Sequence, residues 1–426
     1  MKTVQSLIRV FESRKMAAIL LLGFASGLPL YLTSRTLQAW MTVEGVDLKS
    51  IGLFSLVALP YSLKFLWSPL LDRFIPPFFG RRRGWLAIAQ LALTLAIAAM
   101  SLQQPQQALQ LLAITALLIA FFSATQDIAF DAYRTDILEP QEMGAGAAVA
   151  VLGYRLALLV TGSLALILAD RFSWQLIYLC LAGLMLLSLG FSWFAPEPVM
   201  RDRPPATLVA AVILPFQEFF QRQGLSQGVL ILFFIVFYKL GDALVNNMVT
   251  PFLLQTGFTQ TDIGAISGGM GLVATIVGTL LGGAVLSRLG INRSLWIFGG
   301  LQAISNLAYF ILAQLGQNYR GMVLAINLEN FCGGLGTSVF VAFLMSLCDR
   351  RFSATQYALL SSLMAVSRDL LVAPAGNIAT ITGWPLFFLL SMVAALPGLL
   401  LLPLVAPWNP TPLPLPRPGL DDNDIY

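Results

Sequence analysis

The chain has 426 residues, of which 57% are hydrophobic and 11% are charged, with a formal net charge of +4 and a mean hydropathy of +0.79. Soluble domains carry about a quarter charged residues, so this composition excludes an ordinary soluble enzyme or nucleic-acid-binding protein and indicates a multi-pass membrane protein. The sequence contains no histidine, and its three cysteines all lie in apolar runs. It therefore lacks the commonest metal ligand and shows neither a metal-binding nor a disulfide pattern, so we expect no cofactor.

Twelve apolar segments are long enough to cross a bilayer as helices, which takes about 20 residues each. The first has the length of a signal peptide, but no A-x-A-like cleavage site follows it and apolar segments continue to residue 406, so we expect a first spanning helix. The predicted spans are 16–40, 49–70, 84–103, 108–133, 143–168, 174–194, 228–254, 261–287, 294–314, 320–347, 354–380 and 384–406.

The basic residues between the spans are unevenly distributed. If the N-terminus lies in the cytoplasm, the inner segments hold 17 of the 25 basic residues and the outer loops hold three, Lys49, Arg171 and Arg320. Because positively charged loops stay on the cytoplasmic side, this asymmetry predicts that both termini are cytoplasmic.

The two halves of the chain resemble each other weakly. VEGVDLKSIG at 43–52 aligns with QTGFTQTDIG at 255–264, and Arg155 then corresponds to Arg368. Two six-helix halves joined by a polar cytoplasmic segment are the architecture of the major facilitator superfamily. We therefore predict an all-α membrane protein of twelve helices in two pseudo-symmetric halves. The predicted parts are an N-terminal half 1–194, a linker with an amphipathic segment 195–227, a C-terminal half 228–406 and a proline-rich cytoplasmic tail 407–426.

Ten ionisable residues lie within or at the edges of the spans, and spans three, six, nine and twelve have none. Each costs about 2.5–3.5 kcal/mol at a helix centre on insertion scales, so these side chains must face one another or water. In the superfamily fold the four uncharged positions are the peripheral helices. The ten residues are Arg35, Lys64, Asp127, Asp131, Arg155, Lys239, Asp242, Glu329, Arg368 and Asp369.

Span seven carries a lysine, a carboxylate and an amide at helical spacing. Lys239, Asp242 and Asn246 follow an i, i+3, i+7 pattern, which places them on one helix face, and Lys239 lies near the predicted membrane midplane. One interpretation is an internal Lys–Asp ion pair that fixes packing. The other is a cavity-lining site that binds substrate or relays protons.

Other polar and aromatic residues in the spans extend this predicted site. Guanidinium groups suit carboxylates and phosphates, so we predict that Arg155 and Arg368 bind an anionic substrate, with Lys64 as a further cation. Tyr61 and Tyr154 are further candidates for substrate binding at this site. Because histidine is absent, a carboxylate must carry any coupled proton, and the candidates are Asp127, Asp242 and Glu329.

The loop after span two reads SPLLDRFIPPFFGRRRGW and resembles the loop between helices two and three of the superfamily, with IPPFFG inserted. The resemblance implies a cytoplasmic gate formed by Asp72, Arg73, Arg81 and Arg82. The alternative is that these arginines only fix the topology.

Several motifs, in order from about residue 10 to 405, resemble the AmpG family of muropeptide permeases. The resemblance implies proton-coupled import of N-acetylglucosaminyl-1,6-anhydro-N-acetylmuramyl peptides across the bacterial inner membrane for peptidoglycan recycling, with an influence on β-lactamase induction and antibiotic resistance. The motifs are GFASGLPLYLTSRTLQAWM, KFLWSPLLDRF, PPFFGRRRGW, SATQDIAFDA, GAGAAVAVLGYRL, YKLGDA, ENFCGG and FSATQYALLS.

Two other functions remain open at this point. The QDIAFD stretch is also similar to acetyl-CoA transporters, so another bulky anion is an alternative substrate. A muropeptide sensor that does not transport is a second alternative, although the linker and tail are short for a signalling domain. No nucleophile–base pair, metal cluster or phosphate loop indicates an enzyme. We expect a monomer in the lipid bilayer, with muropeptide and protons as its ligands and no nucleic-acid partner.

Overall fold

The computed structural model describes residues 13–46, 54–169, 171–198, 207–372 and 374–408, and the side chains at 42, 55, 260, 261 and 366–370 are not among those described. All secondary-structure elements assigned in these residues are helices. The α-helices are α1 (Arg14–Leu32), α2 (Arg35–Val43), α3 (Leu59–Leu63), α4 (Ser68–Arg73), α5 (Arg81–Ser101), α6 (Leu109–Ile137), α7 (Met143–Leu158), α8 (Ala165–Ala169), α9 (Trp174–Phe194), α10 (Leu208–Gln223), α11 (Leu225–Phe237), α12 (Leu240–Gln255), α13 (Gln260–Ala265), α14 (Leu272–Leu315), α15 (Tyr319–Ser346), α16 (Ser353–Val372) and α17 (Ala375–Val405).

Nine helical segments of the described residues are long and apolar enough to cross a membrane. The predicted eighth and ninth spans are counted together in one helical segment, Asp262–Leu315. A kink at Gly290 divides this segment into two helices. Gly290 has φ 77° and ψ 168°, a conformation that glycine adopts without a steric penalty. The predicted second span consists of short helical pieces between residues 54 and 73, with Pro60 and Pro69 at helix starts. Twelve spans therefore stay a prediction.

The buried apolar residues show how the two halves meet. One cluster contains residues of both halves, such as Tyr133 and Phe130 from α6 and Phe343 from α15. Two further clusters each belong to one half, one around Trp40 and the other around Phe252. The halves therefore share a core at one end of the bundle and have separate cores at the other. We call the joined end the loop end, because the segments 73–81 and 346–353 lie there.

Glycine allows close helix packing at two points that matter below. A Cβ at Gly153 of α7 would overlap the backbone of Leu20 and Phe24 in α1. Between the halves, a Cβ at Gly144 of α7 would lie 3.2 Å from the carbonyl oxygen of Gly283 in α14, so these two backbones touch. Such approaches exclude larger side chains.

The predicted amphipathic segment of the linker is the helix α10. Its buried face contains Ala211, Pro215 and Phe219. Polar contacts also hold it at the loop end, where Gln356 Nε2 of α16 donates hydrogen bonds to Glu218 Oε2 at 2.7 Å and to the Pro215 carbonyl at 3.0 Å. The linker is therefore attached to the C-terminal half near the start of α16. The predicted tail lies outside the described residues from 409 onward.

Candidate functional site

A cavity lies between the two halves, with about 1100 Å³ of empty space that includes its open mouth. Its lining is mainly apolar, with a few convergent polar groups, which is typical of a small-molecule site. The polar and charged lining residues are Arg155, Lys239, Asp242, Asn246, Thr337, Tyr357 and Ser361.

Lys239 lies where the helix of the predicted seventh span is interrupted. The turn at Tyr238 and Lys239 separates α11 from α12, and Lys239 has φ −103° and ψ 5°. Its ammonium nitrogen lies 3.4 Å from Asp242 Oδ2 and donates a hydrogen bond to Gln302 Oε1 at 2.9 Å. The sequence spacing predicted that the lysine and aspartate share a face, and the structure pairs them. It did not reveal Gln302, whose only signal is that of a neutral amide within an apolar segment.

Asn246 connects this pair to a buried glutamate. Its side-chain nitrogen donates hydrogen bonds to the backbone oxygen of Asp242 and to Glu329 Oε1, each at 3.0 Å. Glu329 is 5% exposed. Among the described residues, no cation lies within ion-pair distance of its carboxylate. Glu329 is thus a buried carboxylate held by an amide rather than by a counter-charge.

Arg155 is contributed to the same cavity by the N-terminal half. Within the described part of the chain its guanidinium makes no hydrogen bond or ion pair, although it lies within electrostatic range of Glu329. The N–H donors of the guanidinium therefore face the cavity and are available to bind a ligand. The side chain of Arg368, the predicted counterpart, lies outside the described residues.

The charged residues of α6 divide into two kinds. Asp127 Oδ1 accepts a hydrogen bond from the Ser26 hydroxyl at 2.5 Å and has no cation within ion-pair distance among the described residues. Asp131 instead lies 3.3 Å from Lys64 and 2.7 Å from Arg134. Lys64 is thus buried against a fixed partner, outside the lining of the cavity described above. The predicted aromatic residues Tyr61 and Tyr154 lie within electrostatic range of Asp127.

Three of the four predicted gate residues converge at the loop end. Asp72 is fully buried and lies 3.0 Å from both Arg81 and Arg82. Its other oxygen accepts hydrogen bonds from the backbone N–H and the hydroxyl of Thr355, at 2.8 and 2.7 Å. Arg73 lies over the ring of Phe74, 5.5 Å from its centre, and no contact of it with the other half is seen among the described residues.

Further residues complete this contact between the halves. Arg82 pairs with Asp136 at 2.6 Å and donates to the Ser353 hydroxyl at 2.8 Å. Closer to the cavity, Arg134 donates a hydrogen bond to the hydroxyl of Tyr357 and lies over its ring. Because Tyr357 also lines the cavity, this bond joins the two halves at the wall of the cavity. Sequence reasoning did not identify Ser353, Thr355 or Tyr357 as partners.

The sequence of this chain is similar to those of known proteins. The family model of the Major Facilitator Superfamily matches residues 19–373. The chain is 51% identical over 397 residues to the anhydromuropeptide permease of Escherichia coli strain K12, a match that covers 93% of this chain and 80% of that protein. This chain belongs to the AmpG family of the Major Facilitator Superfamily.

More distant comparisons agree with the family. The chain is 34% identical over 404 residues to the putative transporter AmpG 4 of Rickettsia conorii, covering 92% of this chain and 97% of that one. Among solved structures, the proton:xylose symporter XylE superposes with a TM-score of 0.70 at 10% identity, covering 92% of this chain and 94% of XylE, which supports the fold alone. The human organic anion transporter MFSD10 superposes with a TM-score of 0.66 at 16% identity, covering 91% and 99%.

Membership of the AmpG family makes this chain a multi-pass membrane transporter rather than an enzyme. No group of metal-ligating side chains that could hold a metal ion occurs in the described ranges. The cavity between the halves is where such a transporter binds its substrate.

Proposed function

We propose that this chain imports N-acetylglucosaminyl-1,6-anhydro-N-acetylmuramyl peptides across the bacterial inner membrane by proton-coupled alternating access. The name of the E. coli relative supports the substrate. The observation that carries the proposal is the guanidinium of Arg155, which has no hydrogen-bond or ion-pair partner among the described residues, in a cavity that Lys239 also lines. A muropeptide presents carboxylates on its stem peptide, and these two cations suit them.

We propose twelve spans with both termini in the cytoplasm, in a monomer whose linker spans 195–227 between two six-helix halves. The distribution of basic residues supports this orientation. With this orientation the loop end is cytoplasmic, and the present conformation has its cavity closed towards the cytoplasm. Import then requires the contacts of Asp72, Arg82 and Arg134 to break while the opposite ends of the halves come together.

The environments of the carboxylates favour particular sites for the coupled proton. Asp242 and Asp131 each have a cation nearby, whereas Asp127 and Glu329 are held by a hydroxyl and an amide. An ionised carboxylate without a counter-charge costs several kcal/mol in a buried site, and a bound proton removes that cost. Asp127 and Glu329 are therefore the stronger proton sites. Asp242 is the candidate that changes its pairing with Lys239 when substrate arrives.

Uptake into proteoliposomes tests this function. Purified protein is reconstituted, an inward proton gradient is imposed, and labelled anhydromuropeptide is measured with and without a protonophore. We expect accumulation that collapses with the protonophore and is not competed by acetyl-CoA. Competition by acetyl-CoA at equal concentration favours the bulky-anion alternative. Binding without accumulation contradicts transport and favours the sensor.

Arg155 can be tested in the same assay. Arg155→Gln removes the only described cavity cation that has no acidic partner, so we expect KM to rise at least tenfold with little change in the maximal rate. Arg155→Lys keeps the charge and loses the two-pronged donor geometry, and we expect an intermediate KM. The exposed Arg35→Gln, whose side chain lies over the Tyr31 ring, is the control. An unchanged KM in Arg155→Gln excludes Arg155 from substrate binding.

A further inference from the structure

Gln302 lies in α14 after the break at Gly290, in the predicted ninth span, yet its side chain reaches the cavity-lining lysine. Its Oε1 is 2.9 Å from Lys239 Nζ, which is shorter than the 3.4 Å between Lys239 and Asp242. Gln302 is 6% exposed and the Lys239 side chain is 16% exposed, so this hydrogen bond is partly buried at the edge of the cavity. The ammonium is therefore held more closely by a neutral amide than by its charged partner.

Gly336 of α15 makes room for this amide, and a second glycine of the same helix, Gly333, lies beside it. A Cβ at Gly336 would overlap Gln302 Oε1 and lie 3.1 Å from Lys239 Nζ. A Cβ at Gly333 would lie 3.5 Å from Gln302 Nε2, which is an ordinary contact. The amide thus lies along a glycine face of α15, with its oxygen at the narrow position. Because an ammonium group only donates hydrogen bonds, Lys239 fixes which end of the amide faces it.

The NH2 end of the Gln302 amide lacks a hydrogen-bond partner among the described residues. Its Nε2 is buried, and Asp242 Oδ1 is likewise buried with no partner in this part of the chain. The oxygen of this amide accepts a hydrogen bond from Lys239, while its buried NH2 group has no acceptor. Burying a donor without an acceptor costs about 1–3 kcal/mol. This arrangement is therefore poorly explained by packing alone and well explained by a need to fix the lysine.

We infer that Gln302 is a positioning residue for substrate binding, which holds the Lys239 ammonium in place so that a substrate carboxylate can take the place of Asp242 beside it. This inference rests on the proposed function. With Gln302 in place, Lys239 keeps one acceptor when Asp242 is protonated or displaced. Without it, the ammonium has only Asp242 as its acceptor, the ion pair tightens, and the substrate must compete with a carboxylate that is already bound.

The test measures the KM and the maximal rate of anhydromuropeptide uptake, together with binding of the same labelled compound to purified protein. Gln302→Met keeps the length of the side chain and removes the acceptor, and we expect a KM about tenfold higher with a maximal rate within twofold of the wild type. Gly336→Ala displaces the same oxygen and is expected to give the same effect. Gly333→Ala is the matched control and is expected to leave KM unchanged.

The double variant separates positioning from general packing. If Gly336→Ala acts by moving Gln302, then Gln302→Met with Gly336→Ala raises KM no further than the larger single effect. Additive effects, or a Gln302→Met variant with wild-type KM, overturn the inference. If Gln302→Met does not fold, the comparison of Gly336→Ala with Gly333→Ala decides. Equal KM values in these two variants also overturn the inference. Failure of the wild type to bind anhydromuropeptide contradicts the proposed function instead, so the two failures are distinguishable.

Discussion

The carboxylate of Asp72 in the N-terminal half accepts two hydrogen bonds from Thr355 in the C-terminal half, one from the backbone N–H and one from the hydroxyl. Thr355 lies in the first turn of α16, where backbone N–H groups have no partner within the helix. Asp72 therefore satisfies the start of a helix in the opposite half, and its negative charge suits the positive end of the helix dipole. Arg81 and Arg82 hold the same carboxylate from its own half.

Neutralising Asp72 is expected to loosen the loop end. Asp72→Asn leaves Arg81 and Arg82 buried without their shared counter-charge, which costs about 3–5 kcal/mol when one partner of a buried pair is removed. The cost falls on the state in which the halves are in contact, so the populations shift towards separation at this end. We expect slower uphill uptake and a loop end that is more accessible to reagents.

Cys348 is a natural reporter of that accessibility. It lies between α15 and α16 and within electrostatic range of Asp72, Asp131 and Asp136 of the other half. Burial, together with these carboxylates, raises the pKa of the Cys348 thiol well above its usual range. Separation of the halves lowers that pKa, so more thiolate is present near neutral pH and maleimide reacts faster.

In a variant with Cys180→Ser and Cys332→Ala, we expect Asp72→Asn to raise the alkylation rate of Cys348 about tenfold. Thr355→Val removes the hydroxyl and keeps the backbone N–H, so we expect a smaller rise in the alkylation rate. Equal alkylation rates in the background variant, Asp72→Asn and Thr355→Val contradict the gate.

Asp127→Asn and Glu329→Gln test which carboxylate carries the proton. Each variant keeps the size and the hydrogen-bonding capacity of the side chain and removes its ability to ionise. At the coupling site we expect loss of uphill accumulation while downhill exchange of muropeptide continues, because substrate still binds. Counterflow in proteoliposomes without a proton gradient measures that exchange. Uphill uptake at full rate in both variants, and in Asp242→Asn, removes all three residues from the coupling role.

One amide makes two of the polar contacts that hold the linker helix α10. Gln356 donates to Glu218 and to the Pro215 carbonyl and accepts from the backbone N–H of Asp349 at 2.6 Å. Gln356→Leu removes all three bonds, and loss of a buried hydrogen bond costs about 1 kcal/mol each. We expect faster amide hydrogen exchange throughout Leu208–Gln223. Gln221→Leu, an exposed position on the same helix, is the control, and exchange that is equally slow in both shows that packing alone holds the helix.

Gly153→Ala tests the close packing of α1 against α7. The added Cβ meets the backbone of Leu20 and Phe24, which cannot move as a side chain can. Overpacking of this kind costs about 1–3 kcal/mol, so we expect a lower melting temperature in detergent. Gly183→Ala in α9 adds the same group where no atom lies within 4 Å, and it is expected to leave the melting temperature unchanged or slightly raised. Equal melting temperatures contradict the close approach.

The sequence predicted features that depend on local spacing better than those that depend on distant contacts. Lys239, Asp242 and Asn246 could be assigned to one face because helical periodicity is local, and the loop motif identified Asp72 with its two arginines. The interruption at Tyr238 and Lys239 was not predicted, because no proline or glycine occupies those positions.

Other partners depend on how separate helices meet. Thr355 is 283 residues from Asp72 in the chain, and nothing in the sequence near Thr355 indicates that it receives a carboxylate. Gln302 was missed for a different reason. Spans without charges were assigned to the periphery, and neutral amides give no signal in a count of charges. The role of Gln302 depends on Gly336 in another helix, which makes room for it.

The contact of Gly144 with Gly283 also has a consequence for the speed of movement. At this point the backbones of the two glycines lie close together beside the side chains of Leu286 and Ala148, so few rotamers have to change if the halves part. The polar cluster around Asp72 is the opposite kind of contact, because several directional bonds must break together before it opens. If the halves part and return as proposed, we expect the activation barrier to arise mainly from the polar cluster, and we expect the glycine contact to let the helices return to the same register.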